Sequence, residues 1–277
     1  HSGDSACSIP PFTIPIDVTM KLREYTKILA SKLNVVGFIN IQFAVQDSEV
    51  YVLEVNPRAS RTVPFISKAV GIPLSRVATQ VMLGKKLSDL GYHEDFDLRL
   101  HDFSVKMPVF PFHKFPGVDV LLGPEMKSTG EVMGRAHDFA SAYAKALLGA
   151  GVQIPTQGRA LLSIADEDKK ASLELAKQLL QKGFTLDATP GTHEFLKAHQ
   201  ILSEKVWKVG QGSPDCVMQI TAGRYQLVLN TTSGEKAIRD SYTIRRTSLE
   251  KRIPYCTLIT MARAYLQAIS KRQLEIL

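Results

Sequence analysis

The sequence contains few cysteines and only one tryptophan. Its three cysteines lie far apart, at positions 7, 216 and 256. An odd, widely spaced set fits neither a disulfide framework nor a zinc site, so we expect a reducing, cytoplasmic environment. No apolar run approaches the length of a membrane span, and the first residues lack the basic and then apolar pattern of a secretory signal. The sequence therefore predicts no membrane partner.

Basic residues are in excess but are not concentrated. The formal net charge of the 277 residues is +7. No aromatic platform interleaves with the basic residues and no nucleic-acid-binding module is recognisable, so we expect no nucleic-acid partner. Small phosphate-rich ligands and an acidic partner subunit suffice to explain the charge. The densest basic pairs are Lys169-Lys170, Arg245-Arg246 and Lys251-Arg252.

Two runs of alternating apolar residues, 41–45 and 51–55, predict a β-hairpin. A three-residue loop at 47–49 would gather one carboxylate and three amides on one face of this hairpin. A two-residue loop would shift the register by one residue and scatter the polar set, so the longer loop is favoured. The polar residues form two expected cross-strand pairs, Gln42 with Glu54 and Asn40 with Asn56.

This polar face has the chemistry of a metal–phosphate site. Amide oxygens beside a single carboxylate suit Mg²⁺, which leaves coordination positions for phosphate and water. Arg58 and Arg61 follow the second strand, and guanidinium groups suit the oxygens of a transferring phosphoryl group. The alternative is a hairpin with one solvated polar face, and composition alone leaves both interpretations open.

The second half of the chain alternates between strand and helix patterns, which predicts a parallel sheet covered by helices. A stretch rich in glycine and proline at 149–158 reads as the linker before it. Helices are predicted at 16–33, 64–84, 139–148 and 169–181, and strands of the parallel sheet at 160–164, 184–188, 205–209 and 226–230.

Two of these strands end in hydroxyl and amide side chains. In parallel sheets, ligands bind where the strands end and helix N-termini attract anions. Lysines at 169 and 208 could neutralise a phosphate nearby. Helix capping is the alternative, because Ser, Thr and Asn are favoured caps, and the residues alone leave the two interpretations nearly even. The first strand end carries Thr189 and Thr192, and the second carries Asn230, Thr232 and Ser233.

Long stretches of the sequence closely resemble the large chain of bacterial carbamoyl-phosphate synthetase. The resemblance implies an α/β protein in two parts. Residues 1–148 would be the C-terminal part of an ATP-grasp domain (α+β, with the antiparallel hairpin as its site). Residues 149–277 would be a Rossmann-like, methylglyoxal-synthase-like allosteric domain with a parallel sheet. The segments that carry the resemblance are 40–43, Glu54 to Gly71, 111–119, 122–131 and Asn230 to Gly234.

The family assigns the hairpin to an ATP-dependent ligase that phosphorylates carbamate to carbamoyl phosphate for arginine and pyrimidine synthesis. By resemblance, Arg58 and Arg61 are catalytic. The alternatives are another ATP-grasp carboxylase or ligase, or a non-catalytic effector-binding fragment. The family's ATP-grasp lid is missing from the sequence, so we expect the isolated chain to be an inactive fragment. The resemblance implies ATP contacts for His1, Ser2, Gln42 and Glu54, and Mg²⁺ or Mn²⁺ contacts for Gln42, Glu54 and Asn56.

The family also implies regulation and partners. Expected partners are the remainder of the large chain, a glutaminase small subunit, effectors of the UMP or IMP type, and further copies in an oligomer. A possible ornithine site is implied, although Met107 stands where some members have a glutamate that binds the ornithine ammonium group. The nucleotide residues would be Lys169, Thr189, Thr192, Lys208, Asn230 and Thr232, and the ornithine residues Asp4, Tyr255 and Thr257.

Overall fold

The structure, a computed structural model, describes residues 3–93, 100–112, 120–122 and 125–270. The chain divides into two compact units. The N-terminal unit spans Cys7–Ser104, and the C-terminal unit comprises Gly3–Ala6 with the chain from Val105 onward. The boundary expected between residues 148 and 149 separates two family domains, whereas these units are defined by their compactness. The family boundary therefore stays a prediction.

The described part of the N-terminal unit contains an antiparallel hairpin and three α-helices. The helix expected at 16–33 is confirmed. The single helical stretch expected at 64–84 is two helices, because Gly71 ends the first at a φ of 71° and Pro73 precedes the second. The elements are β1 (Cys7–Ile9), α1 (Ile16–Lys32), β2 (Asn40–Gln46), β3 (Glu49–Asn56), α2 (Val63–Val70) and α3 (Leu74–Met82).

The apolar core of the N-terminal unit is small. Two apolar residues on the predicted face of α1, Ile16 and Met20, are 76% and 65% exposed. The helical spacing of the sequence therefore predicts the helix correctly, although the apolar stripe of α1 remains largely on the surface. The buried apolar residues described in this unit are Val18, Phe65, Ala69 and Ala78.

The C-terminal unit is built on a five-stranded parallel sheet with the order β10-β9-β6-β7-β8. The central strand has Ala160, Leu161 and Leu162 fully buried, as expected for a strand covered on both faces. The strand expected at 205–209 is wrong in extent, because regular pairing there covers only two residues. The strands are β6 (Gly158–Ser163), β7 (Phe184–Ala188), β8 (Glu204–Lys205), β9 (Leu227–Asn230) and β10 (Tyr255–Cys256).

The order of these strands creates a topological switch point. The chain enters the sheet at β6, moves outward through β7 to β8, and then returns to β9 on the other side. A crevice therefore forms beyond the ends of β6 and β9, where such sheets bind ligands. The accompanying helices are α4 (Phe139–Gly149), α5 (Lys169–Gln181), α6 (Pro190–Ala198), α7 (Cys216–Thr221), α8 (Glu235–Asp240), α9 (Tyr242–Glu250) and α10 (Ile259–Ile269).

Two neighbouring strands, β4 (Phe103–Val109) and β5 (Gly130–Ala136), were not predicted. Pro108 lies inside the first strand and weakens its sequence pattern, since proline cannot donate a ladder hydrogen bond. Glycines occupy two positions of β5, and glycine also lowers strand propensity. Helix α4 packs against β5.

Replacing Gly134 with alanine should destabilise the C-terminal unit strongly. An added Cβ would lie 2.1 Å from the carbonyl oxygen of Ala142 and 2.5 Å from the nitrogen of Ala146, both in the backbone of α4. Overpacking of this kind costs about 1–3 kcal/mol, and rigid backbone atoms favour the upper end. Urea denaturation would measure the loss. Gly130→Ala is the matched control in the same strand, because its Cβ meets nothing within 4 Å. Equal stability of the two variants would contradict the expected close packing.

Candidate functional site

The hairpin has the predicted register but not the predicted loop. Gln42 pairs with Glu54, and Asn40 pairs with Asn56. The connection is nevertheless a two-residue turn, so the expectation of a three-residue loop is wrong. Its central residues, Asp47 and Ser48, have φ values of 50° and 67°.

A β-bulge reconciles the short turn with the polar register. The pairing shifts between Gln42 and Phe43, where Phe43 pairs with Val52 and Leu53 becomes the extra residue of its strand. A turn with two positive φ values fits the right-handed twist of a hairpin. The bulge then adds back the one-residue offset that this turn removes, and the predicted polar pairs are kept.

The polar end of β3 leads directly into the arginine segment. The side-chain amide of Asn56 donates a hydrogen bond to the Glu54 carboxylate. The backbone N–H of Arg58 donates to the carbonyl of Asn56 at 2.8 Å, which turns the chain at the end of the strand. The guanidinium of Arg58 donates to the carbonyl of Ala59 at 3.0 Å. Arg61 is exposed a few residues further on.

The donor set of the hairpin fits a hard divalent cation. Asn56 uses its amide nitrogen on Glu54, which leaves its amide oxygen as an acceptor. One carboxylate with amide oxygens matches the preference of Mg²⁺ for oxygen ligands. Among the residues that the structure describes, there is no group of three or more His, Cys, Asp or Glu side chains suited to a metal. A cation at the hairpin would therefore need amide, phosphate or water oxygens as well.

The second group of polar residues lies where β6 and β7 end. The hydroxyl of Thr189 lies 3.5 Å from that of Ser163 and 3.4 Å from that of Thr192. The hydroxyl of Thr192 accepts a hydrogen bond from the backbone N–H of Ile164 at 3.1 Å. All three hydroxyl side chains are buried. The structure thus brings the two predicted threonines together with a serine that was not predicted as a site residue.

The end of β9 completes this group. The side-chain amide of Asn230 donates to the carbonyl of Ser163 at 3.4 Å and to the hydroxyl of Ser241 at 3.3 Å. Its side-chain oxygen is buried and has no hydrogen-bond partner within the described part of the chain. The hydroxyl of Thr231 accepts from the backbone N–H of Ala165 at 2.9 Å. A buried acceptor without a partner is rare in proteins and suits a ligand that donates a hydrogen bond.

Helix capping does not account for these side chains. Thr189 occupies the N-cap position of α6, but its side chain makes no capping hydrogen bond there. The N-cap of α8 is Gly234, so none of the predicted residues at the end of β9 is in the capping position. The capping alternative therefore finds no support in the hydrogen bonds of the described strand ends.

The predicted lysines differ in how they are held. Lys169 is mostly buried, and its Nζ lies 2.7 Å from a carboxylate oxygen of Asp166. That hydrogen bond and the charge of Lys169 lower the pKa of Asp166, with a further contribution from the charge of Lys208. Lys208 itself is exposed, and Thr232 is half-buried. Both lysines thus act electrostatically on the same loop at the strand ends.

Ser163 and Thr231 were not among the site residues predicted from the sequence. Strand β6 was predicted to within two residues at each end. Its pairing with both β7 and β9 was not predicted, and that pairing is what places Ser163 opposite Asn230. The signal that could have found both residues is the strand order, since the first strand of such a sheet commonly lies at its centre.

Asp187, which precedes Thr189, is held by other charged groups. Its carboxylate accepts hydrogen bonds from Arg159, from Arg224 at 2.9 Å and from the hydroxyl of Tyr225 at 2.9 Å. Asp187 is buried. Two guanidinium groups and a phenol hydroxyl hold this carboxylate in place, which argues for a structural role.

The residues expected for ornithine lie in the C-terminal unit. The buried carboxylate of Asp4 accepts backbone hydrogen bonds from Lys127 at 2.8 Å and Ser128 at 2.9 Å. Burial alone would raise the pKa of Asp4, but the hydrogen bonds from Ser128 and Lys127 outweigh it and lower the pKa. Tyr255 and Thr257 are half-buried. Their role in binding ornithine stays a prediction, as does that of the hairpin and strand-end residues in binding ATP, metal and nucleotide. His1 and Ser2 lie outside the described residues.

Comparisons with known proteins agree with this arrangement of the chain. A model of the "Carbamoyl-phosphate synthase L chain, ATP binding domain" matches residues 1–90, and a model of the "MGS-like domain" matches residues 171–257. The C-terminal section of the large chain of carbamoyl phosphate synthase from Aquifex aeolicus is 47% identical over 97% of the chain. Over nearly its whole length, the chain is therefore similar to the C-terminal section of carbamoyl phosphate synthase large chains.

Two further relatives show the same extent of similarity. The C-terminal section from Methanocaldococcus jannaschii is 46% identical and the large chain from Myxococcus xanthus is 47% identical, each over 97% of the chain. The chain spans 53% of the Aquifex relative, 45% of the Methanocaldococcus relative and 25% of the Myxococcus relative. Within the described residues, no helix combines the length and the apolar character needed to cross a membrane.

Asp4→Asn should lower the stability of the C-terminal unit at neutral pH. The amide has one acceptor oxygen for two backbone N–H groups, so we expect a loss of about 1–3 kcal/mol. Because the folded-state pKa of Asp4 is below its ordinary value, its stabilisation is fully present above that value and is lost as the pH falls through the lowered pKa. The two proteins should therefore converge in acid. Urea denaturation against pH would test this, with exposed Asp47→Asn as the control; a pH-independent difference would contradict it.

Proposed function

We propose that the chain is part of a carbamoyl phosphate synthase large chain and contributes to the ATP-dependent phosphorylation of carbamate. The observation that carries this proposal is the register of the hairpin, which sets Gln42 opposite Glu54 beside the arginine segment. The match of residues 1–90 to an ATP-binding domain supports it. The product, carbamoyl phosphate, would supply arginine and pyrimidine synthesis in the cytoplasm.

In this proposal, Gln42, Glu54 and Asn56 hold Mg²⁺ or Mn²⁺. The cation would neutralise charge on the ATP phosphates. Arg58 and Arg61 bind oxygens of the transferring phosphoryl group and of carbamate, because planar guanidinium groups match such anions. Phosphoryl transfer depends on positioning and charge neutralisation, so no general base is required from this chain. His1 and Ser2 would complete the ATP contacts on the family pattern.

We infer that the C-terminal unit binds a nucleoside monophosphate such as UMP or IMP. Three observations support this: buried hydroxyls converge where three strands end, the buried oxygen of Asn230 lacks a partner among the described residues, and two lysines act at the same edge. The topological switch point lies at this edge as well. The proposed contacts are Lys169, Thr189, Thr192, Lys208, Asn230 and Thr232.

The remaining proposals concern partners. The coverage of longer relatives supports assembly with the remainder of a large chain. We propose a glutaminase subunit as the source of ammonia and an oligomer as the intact enzyme.

A site for ornithine at Asp4, Tyr255 and Thr257 is proposed with an altered response, because the thioether of Met107 cannot pair with an ammonium group.

Glu54→Gln, placed in a large chain that contains these residues, should slow carbamate phosphorylation about 10²–10³-fold, a typical cost of removing electrostatic stabilisation. The amide keeps the shape of the side chain and removes its charge. The rate should be measured from limiting to saturating Mg²⁺. Glu49→Gln is the matched control, because Glu49 lies at the turn end of the same hairpin, opposite Gln46. An unchanged rate for Glu54→Gln at every Mg²⁺ concentration would remove Glu54 from the metal site.

Thr232→Val should weaken nucleotide binding about tenfold or more, the usual effect of losing a hydrogen bond to a charged group. Calorimetric titration of the chain with UMP and IMP would measure the dissociation constants. Thr192 is unsuitable for this test, because its hydroxyl also accepts the backbone N–H of Ile164. The control is Thr221→Val, whose hydroxyl bonds only to its own helix in the described structure. No heat and no shift in melting temperature with millimolar UMP or IMP would refute the nucleotide site.

A further inference from the structure

An acidic loop lies at the proposed nucleotide site, where an anion is expected. Three consecutive carboxylates, Asp166, Glu167 and Asp168, follow the end of β6 and precede α5. An anion site is ordinarily lined by donors and positive charge. Three negative charges at this place would therefore oppose the binding of an anion.

The first of the three carboxylates, Asp166, forms an ion pair with a lysine. Asp166 lies 2.7 Å from the Nζ of Lys169, and the Asp166 side chain is 94% exposed while that of Lys169 is only 17% exposed. The ammonium group also lies against the first turn of α6, since an added Cβ on Gly191 would be 3.4 Å from it. Lys169 is thus held in place at the strand ends, and Asp166 reaches it from the solvent side.

The second carboxylate, Glu167, forms a hydrogen bond with a hydroxyl group. The side chain of Glu167 accepts a hydrogen bond from Ser233 at 3.0 Å, and Ser233 lies in the segment that follows β9. Both ends of this contact are exposed. Glu167 therefore bridges from the loop after β6 to the loop after β9, across the switch point of the sheet.

The backbone just before the acidic loop is held by two threonine hydroxyls. The N–H of Ile164 donates to Thr192, and the N–H of Ala165 donates to Thr231. These two hydrogen bonds hold the start of the loop against the strand ends. Because the side chains of Asp166 and Glu167 are exposed, they can rotate away from their partners while the end of β6 stays anchored.

We propose that Asp166 and Glu167 are built-in competitors of the ligand, occupying the Lys169 ammonium and the Ser233 hydroxyl until a phosphate displaces them. This rests on the proposed nucleotide site. An ion pair with one solvent-exposed partner is weak, so a phosphate that is also held by buried donors can replace it. Each carboxylate also repels the incoming anion at short range. The two residues thereby set the affinity of the site without contacting the ligand in the bound state.

The test is to titrate UMP, and separately inorganic phosphate, into the chain and into Asp166→Asn, Glu167→Gln and the double variant. Each single substitution should lower the dissociation constant about two- to fivefold, and the double variant about tenfold. Asp168→Asn is the matched control. It removes the same charge from the same loop, but Asp168 precedes α5 and its side chain makes no capping hydrogen bond. Its affinity should stay within about twofold of the unmodified chain.

The outcomes of these titrations distinguish a failure of the proposed competition from a failure of the nucleotide site. Tighter binding in the Asp166 and Glu167 variants, with the Asp168 variant unchanged, supports the competition. Unchanged affinity in the double variant, or equal tightening by Asp168→Asn, overturns it while leaving the nucleotide site intact. Failure of every variant to bind either probe refutes the proposed site and this inference with it. Tighter phosphate binding without tighter UMP binding overturns the claim that the two carboxylates set the affinity of the site for the nucleotide.

Discussion

The pairing of β6 with a strand on each side is the constraint on which the C-terminal site depends. Leu162 lies between Ala188 of β7 and Leu229 of β9, and the next residue of β6 pairs with Asn230. The three strands therefore end at one level, and their polar side chains meet there. The buried apolar run of β6 fixes this register, since a one-residue slip would turn its side chains to the wrong faces. Hydrophobic burial thus positions a polar site that contributes little to the core.

The hairpin of the N-terminal unit is held in register by a different means. Much of its apolar surface is exposed, and Leu53 at the bulge is 65% exposed. Burial specifies register weakly in such a strand pair. The two-residue turn and the bulge must then act together, because either alone would place Gln42 opposite a residue other than Glu54. The local conformations of Asp47 and Ser48 are therefore part of what positions the proposed metal ligands.

Helices and strands that are marked by local periodicity were predicted correctly from the sequence. Features that depend on pairing between distant segments of the chain were missed. The helix at 169–181 and the strand at 184–188 match the structure residue for residue, because turn glycines and apolar spacing mark their ends. The polar pairs of the hairpin were right although the loop was wrong, since a bulge leaves no pattern that alternation can show. Ser163 was missed for another reason. Its importance arises from the order of strands in the sheet, which is a long-range property.

The acidic loop also shows why total charge is a poor guide to a binding site. The formal charge of the chain is +7. At the strand ends, however, Lys169 is paired with Asp166, and two more carboxylates follow in the same loop, so the positive charge there is offset locally. Affinity for an anion there must come from directed donors more than from a positive field, because screening limits long-range attraction to about 10 Å. A site of this kind favours a ligand whose remaining parts also find partners, such as a hydrogen-bond donor for the unpaired oxygen of Asn230. Recognition would then require the nucleoside as well as the phosphate.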